Sequence, residues 1–385
     1  MRIWPHAHVC SHQWESVMKK TLFATAIFAA LSGMAQAETS VTLYGLIDTG
    51  VGYQRIKGDG FHESKVGMSN GVSSGSRWGL RGAEDLGDGL SAVFTLESGF
   101  NSANGDRGQS GRLFGRQATV GLKSSSWGLL EFGRQTNIAS KYLGSIDPFG
   151  ASYGQANIGN AFSAANTVRY DNMVQYSTPS FGGFQAGVGY SFNIADTTAA
   201  QTGFRTADNT RAITAGVRYV NGPLNVALTY DQLNLANQLG NDATPKAWSI
   251  AGSYDFEVVK LAAAFGQTRD GWFTGQSINA FNSSETIADG FRSNVGVEDF
   301  KANSYMVGVT VPLGASTILA SWQRADPDSD LLTGGDSAMN VYSIGYTYNL
   351  SKRTNLYALG SYATDFAFID GVKSTVGMVG VRHRF

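Results

Sequence analysis

Greasy and polar side chains trade places at every second residue along most of this chain. From Phe184 to Asn193, one face carries Phe184, Ala186, Val188, Tyr190 and Phe192, and the other carries Gln185, Gly187, Gly189, Ser191 and Asn193. Leu224, Val226, Leu228 and Tyr230 alternate in the same way with Asn225, Ala227, Thr229 and Asp231. So do Leu90–Glu97, Val259–Gly266 and Tyr342–Asn349. A period of two is the period of a β-strand, so the chain reads as all-β. No apolar run after residue 37 reaches the ~20 residues of a membrane-spanning helix. That gap does not make the protein soluble, because lipid-facing and lumen-facing residues of a membrane barrel average out in hydropathy.

The breaks between strands alternate too. Tight turns fall at Gly87–Gly89, Ser124–Ser126, Ser180–Gly183, Asn221–Pro223, around Glu257, at Leu313–Ala315 and at Ser351–Lys352. Longer polar stretches fall between them, at 54–72, 101–111, 137–166, 194–209, 232–245, 269–298, 325–338 and 367–371. Seven turns and eight loops separate sixteen strands. Short turns at one end and long loops at the other are the build of an outer-membrane β-barrel. A soluble sandwich of this length would split into two domains, yet no linker or composition shift divides the chain.

The two ends fit the same expectation. Residues 18–37 read as a secretory signal peptide: Met18-Lys19-Lys20, an apolar run to Leu31, and Ala35-Gln36-Ala37 as cleavage site. Residues 1–17 resemble neither signal nor domain and read as an upstream extension from a misplaced start, which leaves 38–385 as the barrel. At the other end the chain stops on Phe385, in mid-alternation. Phe385, His383, Val381 and Val379 share the face expected to meet lipid, and Arg384 and Arg382 face the lumen. Hydrocarbon tolerates no open sheet edge, so this last strand must pair with the first, near Val41–Thr49.

Losing the leader removes the single cysteine and three of five histidines, so no disulfide or thiolate chemistry remains. Of 29 basic and 30 acidic residues the leader holds three and one, leaving 26 against 29. That near-neutral balance gives no footing for nucleic acid. With only His62, in the first long loop, and His383 left, a Ser-His-Asp hydrolase lacks its base. Asp326–Asp336 imitates a calcium loop for three positions, then has Leu331 and Ser337 where Gly and Glu are required. No enzyme, cofactor or metal is expected. Tyr44, Tyr53, Tyr190 and Tyr348 sit near strand ends, where barrels carry aromatic belts.

The segments "SVTLYGLIDTGVGY", "SRWGLRGAEDLGDGLSAVFTLESGF" and "GRLFGRQATVGLKSSSWGLLEFGRQ", with the leader and Phe385, resemble the general porins of Gram-negative bacteria, of the β-proteobacterial kind. The resemblance covers 18–385 and implies a homotrimer of 16-stranded antiparallel transmembrane barrels in the outer membrane, amid lipid and lipopolysaccharide. It implies passive diffusion of small hydrophilic solutes and ions, and a third long loop, here 137–166, folded inward as a constriction. It also gives Phe385 the role of recognition signal for the barrel-assembly machinery; His383 departs from the family's usual aromatic at the third position from the end. By the same resemblance a basic ladder on the wall comprises Arg77 in "SRWGLRG", Arg116 in "GRQATVGL", Arg134 in "EFGRQ" and Arg169 in "TVRYDNMVQY". Arg81 shares the face of Arg77 and joins the set. Around Arg116 and Arg134 parity fails, because Phe114 and Phe132 match it, so a bulge or change of facing is expected there.

The family's loop turn appears as Asp147-Pro148-Phe149-Gly150-Ala151, with Asp147 as the only acid of the loop and Lys141 balancing it. Four or five arginines opposite one carboxylate make a net positive eyelet, and hence a general porin that is weakly anion-selective or only faintly cation-selective. Two alternatives stay open. A substrate-specific channel would use Tyr142, Phe149 and Tyr153 of the loop, and an adhesin or structural anchor would use the barrel only to hold loops outside.

Overall fold

The computed structural model describes residues 40–194, 209–236, 242–273, 295–332 and 335–385. The leader therefore lies outside the described residues, as do most of the 194–209 and 269–298 stretches. One antiparallel sheet contains β1 (Ser40–Gly58), β2 (Phe61–Asn70), β3 (Arg77–Gly87), β4 (Leu90–Gly99), β5 (Gln117–Ser124) and β6 (Gly128–Thr136). It continues through β7 (Arg169–Ser177), β8 (Phe184–Ser191), β9 (Arg211–Asn221), β10 (Leu224–Asn234), β11 (Lys246–Asp255) and β12 (Lys260–Trp272). The last five are β13 (Val295–Leu313), β14 (Ser316–Pro327), β15 (Met339–Asn349), β16 (Thr354–Thr364) and β17 (Lys373–Arg384). Each strand pairs with the next in sequence except β2 and β3, which both pair with β1, and β17 returns to β1 from Leu46↔Arg384 to Lys57↔Lys373. Phe385 adds the final rung: its N–H donates to the Gly45 carbonyl, and its own carbonyl accepts from the Gly45 N–H. The closing pair thus starts inside the expected Val41–Thr49 and runs beyond it.

Seventeen strands make sixteen staves because the second stave is broken. β3 pairs with Ser40–Leu46 and β2 with Thr49–Gly58, so residues 71–76 interrupt one stave. The interruption is held by Asp48, whose carboxylate accepts from the Ser74 N–H at 2.7 Å and the Tyr357 hydroxyl at 2.6 Å. The 54–72 stretch is therefore not a long loop. It is strand on both sides of a two-residue turn at Asp59–Gly60, and His62 belongs to β2. The seven tight turns all lie at the opposite end, between consecutive strands.

Facing follows the alternation. Val41, Leu43, Val51, Val188, Ile344 and Val379 point outward and are half or more exposed. Polar residues of the opposite face, such as Asp48, Ser249, Ser304, Gln323 and Ser374, point inward and are buried. Such a greasy exterior is costly in water and stable in hydrocarbon. Arg382 faces inward as expected, donating to Asn355 at 3.0 Å and Ser74 at 2.9 Å. Tyr53 and Tyr348 lie outside, but Tyr44 does not belong to a belt: it is inside, its hydroxyl donating to Glu97 at 3.1 Å. No helix among the described residues is long and apolar enough to cross a membrane.

Candidate functional site

Residues 137–166 leave the end of β6 and lie against the inner wall. Asn137 begins the segment as the N-cap of the helix Ile138–Leu143, its side-chain oxygen accepting from the Ser140 N–H. The Asn137 amide also donates to the Asp231 carboxylate on β10 and to the Ala164 carbonyl, both at 2.8 Å, which ties the two ends of the segment together. The Ile138 N–H donates to Thr214 of β9 at 2.9 Å. Farther round, Ser304 of β13 donates to the Ala161 carbonyl, Gln323 of β14 to the Ala156 carbonyl, and Gln155 to Ser361 of β16. Tyr153 meets Tyr357 edge-on at 5.9 Å. Pro148 and Phe149 lie over Gly308 and Gly345 of the wall, where a Cβ would come within 2.4 Å and 2.9 Å of them. The segment therefore rests on β9–β17 from within the ring.

Basic side chains gather on the other part of the wall. Arg77 opens β3, and its Nε lies 3.6 Å from Glu97 of β4. Arg116 pairs with the same carboxylate at 2.7 Å. It precedes β5 in a bend, which turns it inward although Val120 and Leu122 of like parity point out. Arg134 turns inward by another route. The β6–β7 register shifts between Gly133 and Gln135, and Gly133 takes φ 120°, so Phe132 stays outside while Arg134 reaches Asp171 at 2.5 Å. Both changes of facing are those the sequence demanded. Arg169, first in β7, is held by the Thr167 carbonyl at 3.2 Å and leaves its buried Nε without a partner. Arg81 lies toward the short turns, its guanidinium 5.3 Å above the ring of Tyr44.

Three residues of this cluster escaped the sequence. Arg112 binds Asp171 through Nη1 at 2.7 Å. Glu97 and Asp171 are the acids that meet the arginines, each bridging two of them. Asp147 is not the opposing acid. It is buried inside the loop, where its oxygens accept from the N–H groups of Phe149, Ala151 and Ile158 at 3.1, 2.9 and 3.1 Å. Burial pushes its carboxyl up to about 6, and those three N–H groups pull against it. Lys141 does not balance Asp147 either. Its ammonium reaches back to the side-chain oxygens of Gln135 and Gln175, and burial lowers its pKa while nearby Glu131 partly restores it. Among the described residues no group of His, Cys, Asp and Glu could hold a metal ion.

Comparison with known proteins gives one consistent result. A family model described as Gram-negative porin matches residues 24–365. An outer membrane porin protein of Bordetella pertussis is 62% identical over 388 residues, covering 96% of this chain and 100% of that protein. Outer membrane porin protein 32 of Delftia acidovorans is 36% identical over 393 residues, with the same coverage. Among solved structures, an anion-selective porin from Comamonas acidovorans superposes with TM-score 0.70 at 30% identity, covering 90% of this chain and all of that one. OmpT of Vibrio cholerae in its trimer form has TM-score 0.60 at 14% identity over 90% of this chain and 99% of its own, a likeness of fold alone.

Proposed function

The chain belongs to the Gram-negative porin family, and from that premise we propose how its barrel conducts. It is an outer-membrane channel through which small hydrophilic solutes and ions diffuse down their gradients, with no bond made or broken. Loop 137–166 narrows the bore from one side, and Arg77, Arg81, Arg112, Arg116, Arg134 and Arg169 line the other. Against these six stand Glu97 and Asp171, so the passage carries net positive charge and prefers anions. The single observation carrying this reading is the opposition of a loop seated on β9–β17 to an arginine cluster on β3–β7.

Selectivity is weak. Ions keep most of their hydration in a wide bore, and wall charges fade over a screening length of ~8 Å at physiological salt. The anion-selective porin of Comamonas acidovorans, alike over nine-tenths of the chain, supports the sign. The same reading makes residues 18–37 a signal peptide, Phe385 the mark read by the barrel-assembly machinery, and the outer face a surface for lipid, lipopolysaccharide and two further copies in a trimer. Reversal potentials of single channels across a KCl gradient test it. A modest chloride preference is expected, lost or inverted by Arg116→Glu, whereas a strong potassium preference in the unaltered protein overturns the reading.

A further inference from the structure

Behind the helix Ile138–Leu143, on the side of the short turns, the inner wall is hollowed into a niche of about 450 Å³. Its rim is built from the β5–β6 and β7–β8 turns, at Ser124–Gly128 and Ser177–Pro179, so it faces the mouth opposite the long loops. It is separate from the arginine cluster, and nothing in the conduction mechanism uses it. Volumes of ~300–1,000 Å³ with a few converging polar groups are typical of small-molecule sites.

Three cations and one acid line the niche: Lys123, Lys141, Arg218 and Glu131. None of the three cations forms an ion pair among the described residues. Lys141 is held only by the neutral oxygens of Gln135 and Gln175. Arg218 donates its Nε to Gln185 at 2.9 Å and lays its guanidinium 5.0 Å above the ring of Tyr142. Tyr142 is 4% exposed, and its ring is the floor on which the Arg218 guanidinium rests. Leu129, Ile138 and Pro179 supply apolar surface beside these groups.

We propose that this niche binds a small organic monoanion, a carboxylate on a flat apolar body, with its oxygens between Lys141 and Arg218. Glu131 holds back a second negative charge, so dianions bind worse. The site goes beyond the diffusion reading and can fail without it.

Benzoate is the probe, titrated calorimetrically into the folded protein in detergent, with benzyl alcohol, phthalate and inorganic phosphate as comparators. Each variant is first tested for channels in KCl. Channels without benzoate binding sink the niche alone, and silent membranes sink the channel reading. Saturable binding at one site per chain is expected. Losing a hydrogen bond to a charged group weakens binding roughly tenfold or more, the loss expected for Lys141→Met and for Arg218→Met. Benzoate binding no tighter than benzyl alcohol, equal binding of phosphate or phthalate, or indifference to both variants overturns the proposal.

Discussion

Replacing Asp171 by asparagine makes the channel more anion-selective, and replacing Asp147 does not. Asp171 lies between Arg112 and Arg134, at 2.7 Å and 2.5 Å. Asparagine keeps its shape and one acceptor oxygen while removing one negative charge from the passage. A hydrated ion passing about 5 Å away interacts with a unit charge by ~0.8 kcal/mol in water. Screening at physiological salt trims that to ~0.5 kcal/mol. Anions gain about twofold in partition and cations lose as much, so the chloride-to-potassium permeability ratio rises roughly fourfold. Asp147→Asn is the control, because that carboxylate faces the Phe149, Ala151 and Ile158 N–H groups of its own loop and not the bore. Reversal potentials of both variants under one salt gradient decide the matter. A larger shift from Asp147→Asn than from Asp171→Asn refutes the assignment of Glu97 and Asp171 as the facing acids.

Other consequences concern the loop and the wall. With the Asp147 carboxyl raised from 3.8 to about 6, the folded state holds more protons than the unfolded one between those values. Stability therefore falls as pH rises through that window, by about 3 kcal/mol in all. Thermal unfolding followed by gel mobility should show a higher Tm at pH 5 than at pH 7.5, and this difference should shrink in Asp147→Asn; a higher Tm at pH 7.5 contradicts the argument. Gly308→Val places a side chain where a Cβ alone already lies 2.4 Å from Pro148, so the loop must shift. Altered conductance or frequent substates are expected, and an unchanged single-channel trace speaks against the seat described. Gly133→Val is worse still, since φ is 120° there and a Cβ would lie 2.0 Å from the Ala118 carbonyl oxygen. Yields of heat-modifiable folded barrel should drop severalfold, whereas normal yields argue against the bulge that aims Arg134.

What could be read from the sequence depended on whether one face of a strand meets oil. Leu224–Asp231 and Tyr342–Asn349 announce themselves because lipid demands apolar residues at every second position. β2, Phe61–Asn70, reads as loop for the opposite reason: polar residues such as His62, Glu63, Ser64 and Lys65 crowd both of its faces near the tip, and the alternation signal fades. Its pairing with β1 comes mainly from backbone hydrogen bonds, which leave no mark on composition. The arginines could be found because they follow short, recognisable motifs, and the parity of Phe132 required a change of facing before Arg134, which the structure supplies at Gly133. Their partners could not be found this way. Glu97 meets Arg116 across β4 and β5, and Asp171 meets Arg134 across a register shift, so the pairings exist only once the register is known. Asp147 misled for a related reason: an acid beside a Pro-Phe-Gly turn serves equally to face a pore or to cap the turn's own N–H groups. Burial within a folded loop decides between the two, since a carboxylate shut away from water persists only where donors surround it.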